Sequence, residues 1–300
     1  MKVLVAGATG AIGRPLTRAL IAAGHEVLGL ARSAQAADAV QALGADPVRA
    51  DAMDRSALLR AVEGLSADAV VCQLTALSKP KRTLDERDMS TALRKTGTAN
   101  LLAAADALGA TRLLAQSLVL GYGYRDHGDR ILTEDDPFGE PAGNLTDHVL
   151  DGLNSTEDQT RRAGGIALRY GCFYGPGTWF DPAASARSIP VPRSGGGVMS
   201  WIHVDDAAAG TVAALERGAP GAAYNLVDDT PSTWGAMGDA IAAAGGRPPM
   251  RLPDRLLRLA VPYLGALMID TDMRVSHDKA TRELGWRPEH RGAAPPATGS

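Results

Sequence analysis

Gly7, Gly10 and Gly13 follow directly on the apolar run at residues 3–6, and that spacing could hold a pyrophosphate. The first glycine permits a tight turn, the second lets backbone approach a phosphate, and the third lets the next helix pack closely on a sheet. Thr9, Ala11 and Ile12 complete the loop. The helix that starts behind it would offer unpaired N–H groups and a positive dipole end to an anion. Arg32-Ser33 stands at the end of the next apolar run, where an acidic residue would hold the ribose hydroxyls of NAD and a basic one the 2′-phosphate of NADP. Arg14 could close on the same phosphate, since guanidinium groups suit phosphate oxygens. NADPH is therefore the expected cofactor; the plainer alternative is two surface arginines. Asp51, beside Ala52, could accept from an adenine amino group or cap a helix, and Asp54 reads as a cap. Leu74-Thr75-Ala76 and Ser117 each end an apolar run. A hydroxyl at Ser117 could touch a substrate carbonyl.

Those residues need a scaffold that brings them to one edge. Strands are predicted at 3–6, 25–30, 47–50, 69–74 and 112–116. Helical patterns lie between them: Leu16, Ala19, Leu20 and Ala23 up to a stop at Gly24, then 55–64, then a stretch continuing through Gly97 to Leu108. A glycine-rich turn without a ligand would not explain why strand, loop, helix and strand follow in about thirty residues. The alternation predicts an α/β fold, a doubly wound Rossmann-type parallel sheet with ligands at the carboxyl ends of its strands. Residues 1–170 are expected to form the dinucleotide domain, with 200–227 returning to it. Residues 171–288 should form mainly a smaller C-terminal substrate lobe. The Gly-, Ala- and Pro-rich 289–300 should be a disordered tail.

Further stretches resemble the short-chain dehydrogenase/reductase superfamily, in particular its extended branch of nucleotide-sugar epimerases and dehydratases. Residues 7–13 match that branch's phosphate loop, and Thr96-Gly97-Thr98-Ala99-Asn100 resembles its core helix. Arg169-Tyr170-Gly171-Cys172-Phe173-Tyr174-Gly175-Pro176-Gly177 resembles the strand and turn beside the nicotinamide. The resemblance thus implies cofactor contacts for Tyr170, Gly171 and Phe173. Trp201-Ile202-His203-Val204-Asp205-Asp206, Tyr224-Asn225-Leu226 and Leu284-Gly285-Trp286-Arg287-Pro288 resemble landmarks of the second lobe.

That branch works with a Ser or Thr that orients the carbonyl and with a Tyr and a Lys four residues later. On one helix face the ammonium can lower the phenol's pKa while the tyrosine transfers a proton. Ser117 matches the first member. Glu157 resembles the acidic residue that follows the lysine by four, which puts Val149 and Leu153 in place of the pair. None of the six tyrosines, at 122, 124, 170, 174, 224 and 263, has a lysine four residues on. A proton would then come from Ser117 through water, from Tyr122, Tyr124, His148 or His203, or from a phenol of the substrate. For the two histidines the plainer reading is a loop residue and a packing residue. The expected activity is NADPH-dependent reduction of a ketone on a polycyclic aromatic, angucyclinone-like polyketide in antibiotic biosynthesis. The alternatives are an NADP(H)-binding sensor or scaffold and, behind it, a nucleotide-sugar epimerase or dehydratase. The Pro- and Gly-rich stretch 187–199 has the character of a substrate loop, and Trp179 and Trp201 would suit a flat ligand.

Composition agrees with an enzyme of small molecules. A formal charge of −3 with 45% hydrophobic and 22% charged residues gives no electrostatic case for nucleic acid or an anionic membrane. The apolar stretch 256–269 is interrupted by Arg258 and Pro262 and is too short to span a bilayer. A soluble, cytoplasmic protein is expected. Cys72 and Cys172 lack neighbouring ligands and read as core thiols. With no metal-ligand cluster in the sequence, a metal-independent mechanism is expected.

Overall fold

Val3, Leu4, Val5 and Ala6 are all wholly buried, as a strand covered on both faces requires. Together with Lys2 they form β1 (Lys2–Ala6), from which the chain winds outward: α1 (Gly13–Ala22), β2 (Glu26–Ala31), α2 (Ala34–Gln41), β3 (Asp46–Arg49), α3 (Arg55–Val62) and β4 (Ala69–Cys72). The computed structural model describes residues 1–76, 88–183 and 190–292. Residues 79–87 of the charged stretch, 187–189 of the expected substrate loop and 293–300 of the expected tail lie outside the described residues.

The chain then adds α4 (Met89–Ala92), a π-helical turn (Leu93–Gly97), α5 (Thr98–Leu108), β5 (Arg112–Leu118), β6 (Asp126–Leu132), α6 (Asp147–Arg162), β7 (Ile166–Tyr170) and β8 (Cys172–Tyr174). Seven strands pair in the order β3-β2-β1-β4-β5-β7 and then β12 (Ala223–Leu226), every pair parallel. The order reverses at β1, so the loop after β1 faces the crevice between β1 and β4. Strand alternation sends Val3 and Val5 to one face with Leu16 and Leu20 of α1, and Leu4 and Ala6 to the other with Leu58 of α3 and Leu101 of α5. Helix α6 packs beside α5 and against β5 and β7.

The rest supplies the last helices around the sheet and a lobe over the carboxyl ends. It comprises β9 (Val191–Pro192), β10 (Val198–Met199), β11 (Trp201–His203), α7 (Val204–Arg217), β13 (Ser232–Thr233), α8 (Trp234–Ala243), β14 (Arg251–Leu252), α9 (Asp254–Ala260), α10 (Pro262–Met268), β15 (Asp272–Val275) and α11 (Asp278–Leu284). Helix α7 returns to pack on α1, and β12 closes the sheet edge. The glycine stretch expected in a substrate loop lies under α10. A Cβ at Gly196 would stand 2.3 Å from the Met268 carbonyl oxygen, and one at Gly197 2.1 Å from that of Thr271.

Residues 290–292 of the expected tail are held to the fold. His290 N–H donates to Asp206 at 2.9 Å and Gly292 N–H to Asp228 at 3.2 Å, so two buried carboxylates pin residues 290–292 to the lobe.

Candidate functional site

The phosphate loop is fixed by contacts that only glycine allows. Gly7 has φ +90°, and a Cβ there would lie 2.5 Å from the Gln73 carbonyl oxygen. A Cβ at Gly13 would meet the Gly7 carbonyl oxygen at 2.0 Å, so α1 starts directly beneath the turn. Gly10, Ala11 and Ile12 line the cavity described below. Thr9 accepts a hydrogen bond from Arg14 Nε at 3.0 Å through its carbonyl oxygen. Arg14 and Arg32 are exposed, and Arg32 makes no hydrogen bond among the described residues. Ser33 caps α2, accepting from Ala36 N–H at 3.2 Å. Asp51 accepts from Met53 N–H at 2.9 Å, and Asp54 caps α3 as expected. Ala52 is tied by its carbonyl to Asn100 Nδ2 at 2.8 Å. This glycine cradle, with exposed Arg14 and Arg32 at its rim, fits a nicotinamide dinucleotide.

Beside it opens a cavity of about 210 Å³. Thr75 lines it, as do Tyr170, Gly171, Cys172 and Phe173 from β7 and β8. Leu74 instead packs toward Gly97, and Ala76 N–H donates to Ser90 Oγ. Trp179, Phe180, Trp201 and Trp234 form an aromatic wall, in which the Trp201 and Trp234 rings meet edge to face at 4.8 Å. Cys172 lines the cavity as well as packing against the core, and burial pushes its thiol up to about 12. Three of the lining residues carry a buried side-chain atom without a partner among the described residues: Gln73 Oε1, Gln116 Oε1 and Trp234 Nε1. Such orphans cost free energy unless a ligand meets them.

Ser117 is not among the lining residues. Gln116 and Leu118 on either side of it line the cavity, and alternation along β5 turns Ser117 to the opposite face. It is wholly buried there, and its Oγ has no partner among the described residues. The polar group that β5 presents to the cavity is Gln116. Val149 and Leu153 lie one turn apart on α6, both buried.

The other expected proton donors are placed elsewhere. Tyr122 is locked in a buried network: its hydroxyl donates to the Thr133 carbonyl or Asn225 Oδ1, each at 2.8 Å, and accepts from Arg169. Burial pushes it up to about 12. Arg169 forms a bidentate pair with Glu157 at 2.9 and 2.8 Å and stacks its guanidinium over Phe138 at 4.2 Å. Burial works against its charge, but the Glu157 bonds outweigh that and raise its pKa. Glu157 thus holds α6 to β7. The carbonyl of His148 accepts from Thr91 Oγ1. His203 caps α7 and stacks on His290 at 3.8 Å; burial depresses its pKa. Folding also brings ligand atoms of His203, Asp205 and His290 within 4.8 Å of one another on the surface, a grouping that spacing in the sequence does not show. Tyr263 of α10 lines the cavity and shares a hydrogen bond of 3.0 Å with the Tyr124 hydroxyl.

Comparison with known proteins agrees with this geometry. A family model described as the NAD dependent epimerase/dehydratase family matches residues 3–226. A 3-diazoavenalumate denitrifying reductase from a Streptomyces species is 38% identical, over 97% of this chain and 97% of its own. A 4-hydroxy-2-methyl-3-oxo-4-farnesyl-3,4-dihydroquinoline-1-oxide ketoreductase from Stigmatella aurantiaca is 27% identical, over 95% of this chain and 92% of its own. In fold, the chain is similar to a dTDP-glucose 4,6-dehydratase from Streptomyces venezuelae solved with NAD bound. The TM-score is 0.76 at 23% identity, over 98% of this chain and 94% of that one. Glycine cradle, switch-point cavity and full-length reductase relatives agree: the chain is an oxidoreductase and belongs to the NAD dependent epimerase/dehydratase family.

Proposed function

We propose that the protein is an NADPH-dependent reductase of a flat aromatic compound, acting on a ketone conjugated to or fused with the ring. The observation that carries this reading is the cavity beside the phosphate loop, walled by four aromatic residues and lined by three residues that each carry an unpartnered polar atom. A planar ring suits the wall, and ring substituents would meet Gln73, Gln116 and Trp234. When bound, NADPH would supply the hydride. Gly7 to Gly13 would hold its pyrophosphate, with Arg14, Arg32 and Ser33 at the 2′-phosphate. Asp51 and Ala52 would stand at the adenine, and Leu74 to Ala76, Tyr170, Gly171 and Phe173 toward the nicotinamide. The similarity to a ketoreductase of an oxo-quinoline supports a ring ketone as acceptor.

One observation favours a second acceptor. The 38% identical relative is named for a diazo substrate and for denitrification. Two-electron reduction of an arenediazonium breaks the C–N bond, forms a C–H bond and releases N₂ without consuming a proton. Such chemistry has no use for the tyrosine and lysine that this chain lacks.

The test is NADPH oxidation followed by near-ultraviolet absorbance, against polycyclic hydroxy-ketones and against nitrogen-15-labelled arenediazonium salts, with labelled N₂ counted by mass spectrometry. Turnover of the ketones supports the first acceptor, and one N₂ per NADPH the second. Tight NADPH binding with turnover of neither class would sink the substrate reading.

A further inference from the structure

Tyr263, Tyr124 and Arg94 are polar, lie at the cavity or behind it, and have no part in the cofactor cradle. They come from distant places. Tyr263 sits near the start of α10 in the lobe, Tyr124 follows β5 by six residues, and Arg94 belongs to the π-helical turn before α5. Tyr170 also lines the cavity, but its hydroxyl is committed to Gln73 Nε2 at 2.9 Å and to Thr211 Oγ1 at 2.6 Å. Tyr263 has a single hydroxyl partner, Tyr124, so a proton donated by Tyr124 leaves the Tyr263 O–H free to turn to a ligand. Behind the two phenols lies Arg94, 5% exposed, whose guanidinium makes no hydrogen bond or ion pair among the described residues and has the buried Asp88 carboxylate among the charges acting on it. Its side chain runs along α6 at Gly152, where a Cβ would lie 3.2 Å from Arg94 Cδ. A buried guanidinium is costly unless negative charge forms near it. The groups facing it and Tyr263 are Tyr124, Asp88, Cys72 and Cys172.

We propose that the Tyr263 hydroxyl is the catalytic proton donor of this site, with Tyr124 and Arg94 as its positioning residues. The phenol and cation that relatives of this fold carry on one helix are here assembled from three elements. The inference rests on the ketone reading above. As the carbonyl carbon is reduced, the carbonyl oxygen gains the electron pair of the C=O π bond. The Tyr263 O–H bond breaks and an O–H bond forms on the product. Tyr124 passes its proton to the Tyr263 oxygen and recovers one from water. Arg94 opposes the negative charge while it resides on either phenol. The balance is ketone plus NADPH plus one solvent proton giving alcohol plus NADP⁺.

The test compares Tyr263→Phe, Tyr124→Phe, Arg94→Met and Arg94→Lys in the full chain, with two readouts. The first is steady-state reduction of a ketone that the wild type turns over. Tyr263→Phe should lower kcat by about 10²-fold or more with KM nearly unchanged, and Arg94→Lys should restore much of what Arg94→Met loses. The second needs no turnover: quenching of the cavity tryptophans by anthraquinone and by anthracene. Tyr263→Phe should weaken the quinone by about three- to tenfold and leave the hydrocarbon unchanged. Full kcat in Tyr263→Phe, or equal loss for both ligands, overturns the proposal. A wild type that reduces no ketone yet shows the quinone-specific loss would refute the ketone reading and with it the donor role, while leaving the Tyr263 contact.

Discussion

Arg32 is exposed and makes no hydrogen bond among the described residues, so its removal should disturb nothing in the protein itself. If it reads a 2′-phosphate, the loss is one charge-assisted contact, about 1.5–3 kcal/mol. Arg32→Ala should therefore weaken NADPH roughly 10- to 100-fold in a fluorescence titration while NADH affinity holds; equal losses would show that the arginine reads no phosphate. Ser33, its neighbour, has a structural task as the cap of α2, and its replacement would mix the two effects. At this scale the turn after β1 was legible, because glycine spacing carries its own physical meaning. The substrate side was less so. Ser117 and Gln116 are adjacent, and period-2 alternation says that one faces the cavity and the other does not, but only packing decides which.

The first element of the fold, β1 with its loop and α1, was readable because its strand, turn and helix signals agree with one another. Helix α2, a run of Ala, Gln, Asp and Val, was not recognised, and two-residue strands such as β9 and β14 exist only through their tertiary partners. The agreement at the loop is steep in energy: a Cβ at Gly13 would lie 2.0 Å from backbone oxygen that cannot move without reshaping the turn. Gly13→Ala should abolish cofactor binding, and a titration that still saturates at wild-type concentrations would contradict this geometry. Helix α6 offers the opposite test. Restoring a lysine at Leu153, which is 0% exposed, would bury an unpaired ammonium. Leu153→Lys should cost about 3 kcal/mol or more, seen as a lower denaturant midpoint, and should not raise activity. A stable Leu153→Lys protein would mean that α6 has room for the pair after all.

For the molecule as a whole, the lobe does more than roof the sheet. Through α10 it brings Tyr263 to a cavity lined by the loops that follow β1 and β4 and by β5. No window of sequence reveals that juxtaposition, since it joins residues more than a hundred positions apart. The end of the described chain is held in the same manner. Asp228, just past β12, accepts from Thr230 N–H at 2.9 Å and from Gly292 N–H at 3.2 Å, with Asp229 and Tyr174 also facing it. Burial raises its carboxyl to about 6 from the ordinary 3.8. A carboxyl raised by folding favours the folded state while it keeps its proton. That contribution is fully present below the unfolded value and is lost as pH rises through about 6. Above that the charged form is penalised by at most about 3 kcal/mol. Asp228→Asn removes the titration but keeps an acceptor for one of the two N–H groups. Relative to the wild type, it should be less stable or equal near pH 4 and gain ground steadily up to pH about 7, with no further relative change beyond. Urea midpoints of the two proteins across that range measure the difference directly. Parallel curves would show that Asp228 is charged throughout, held by its two N–H donors rather than by its proton.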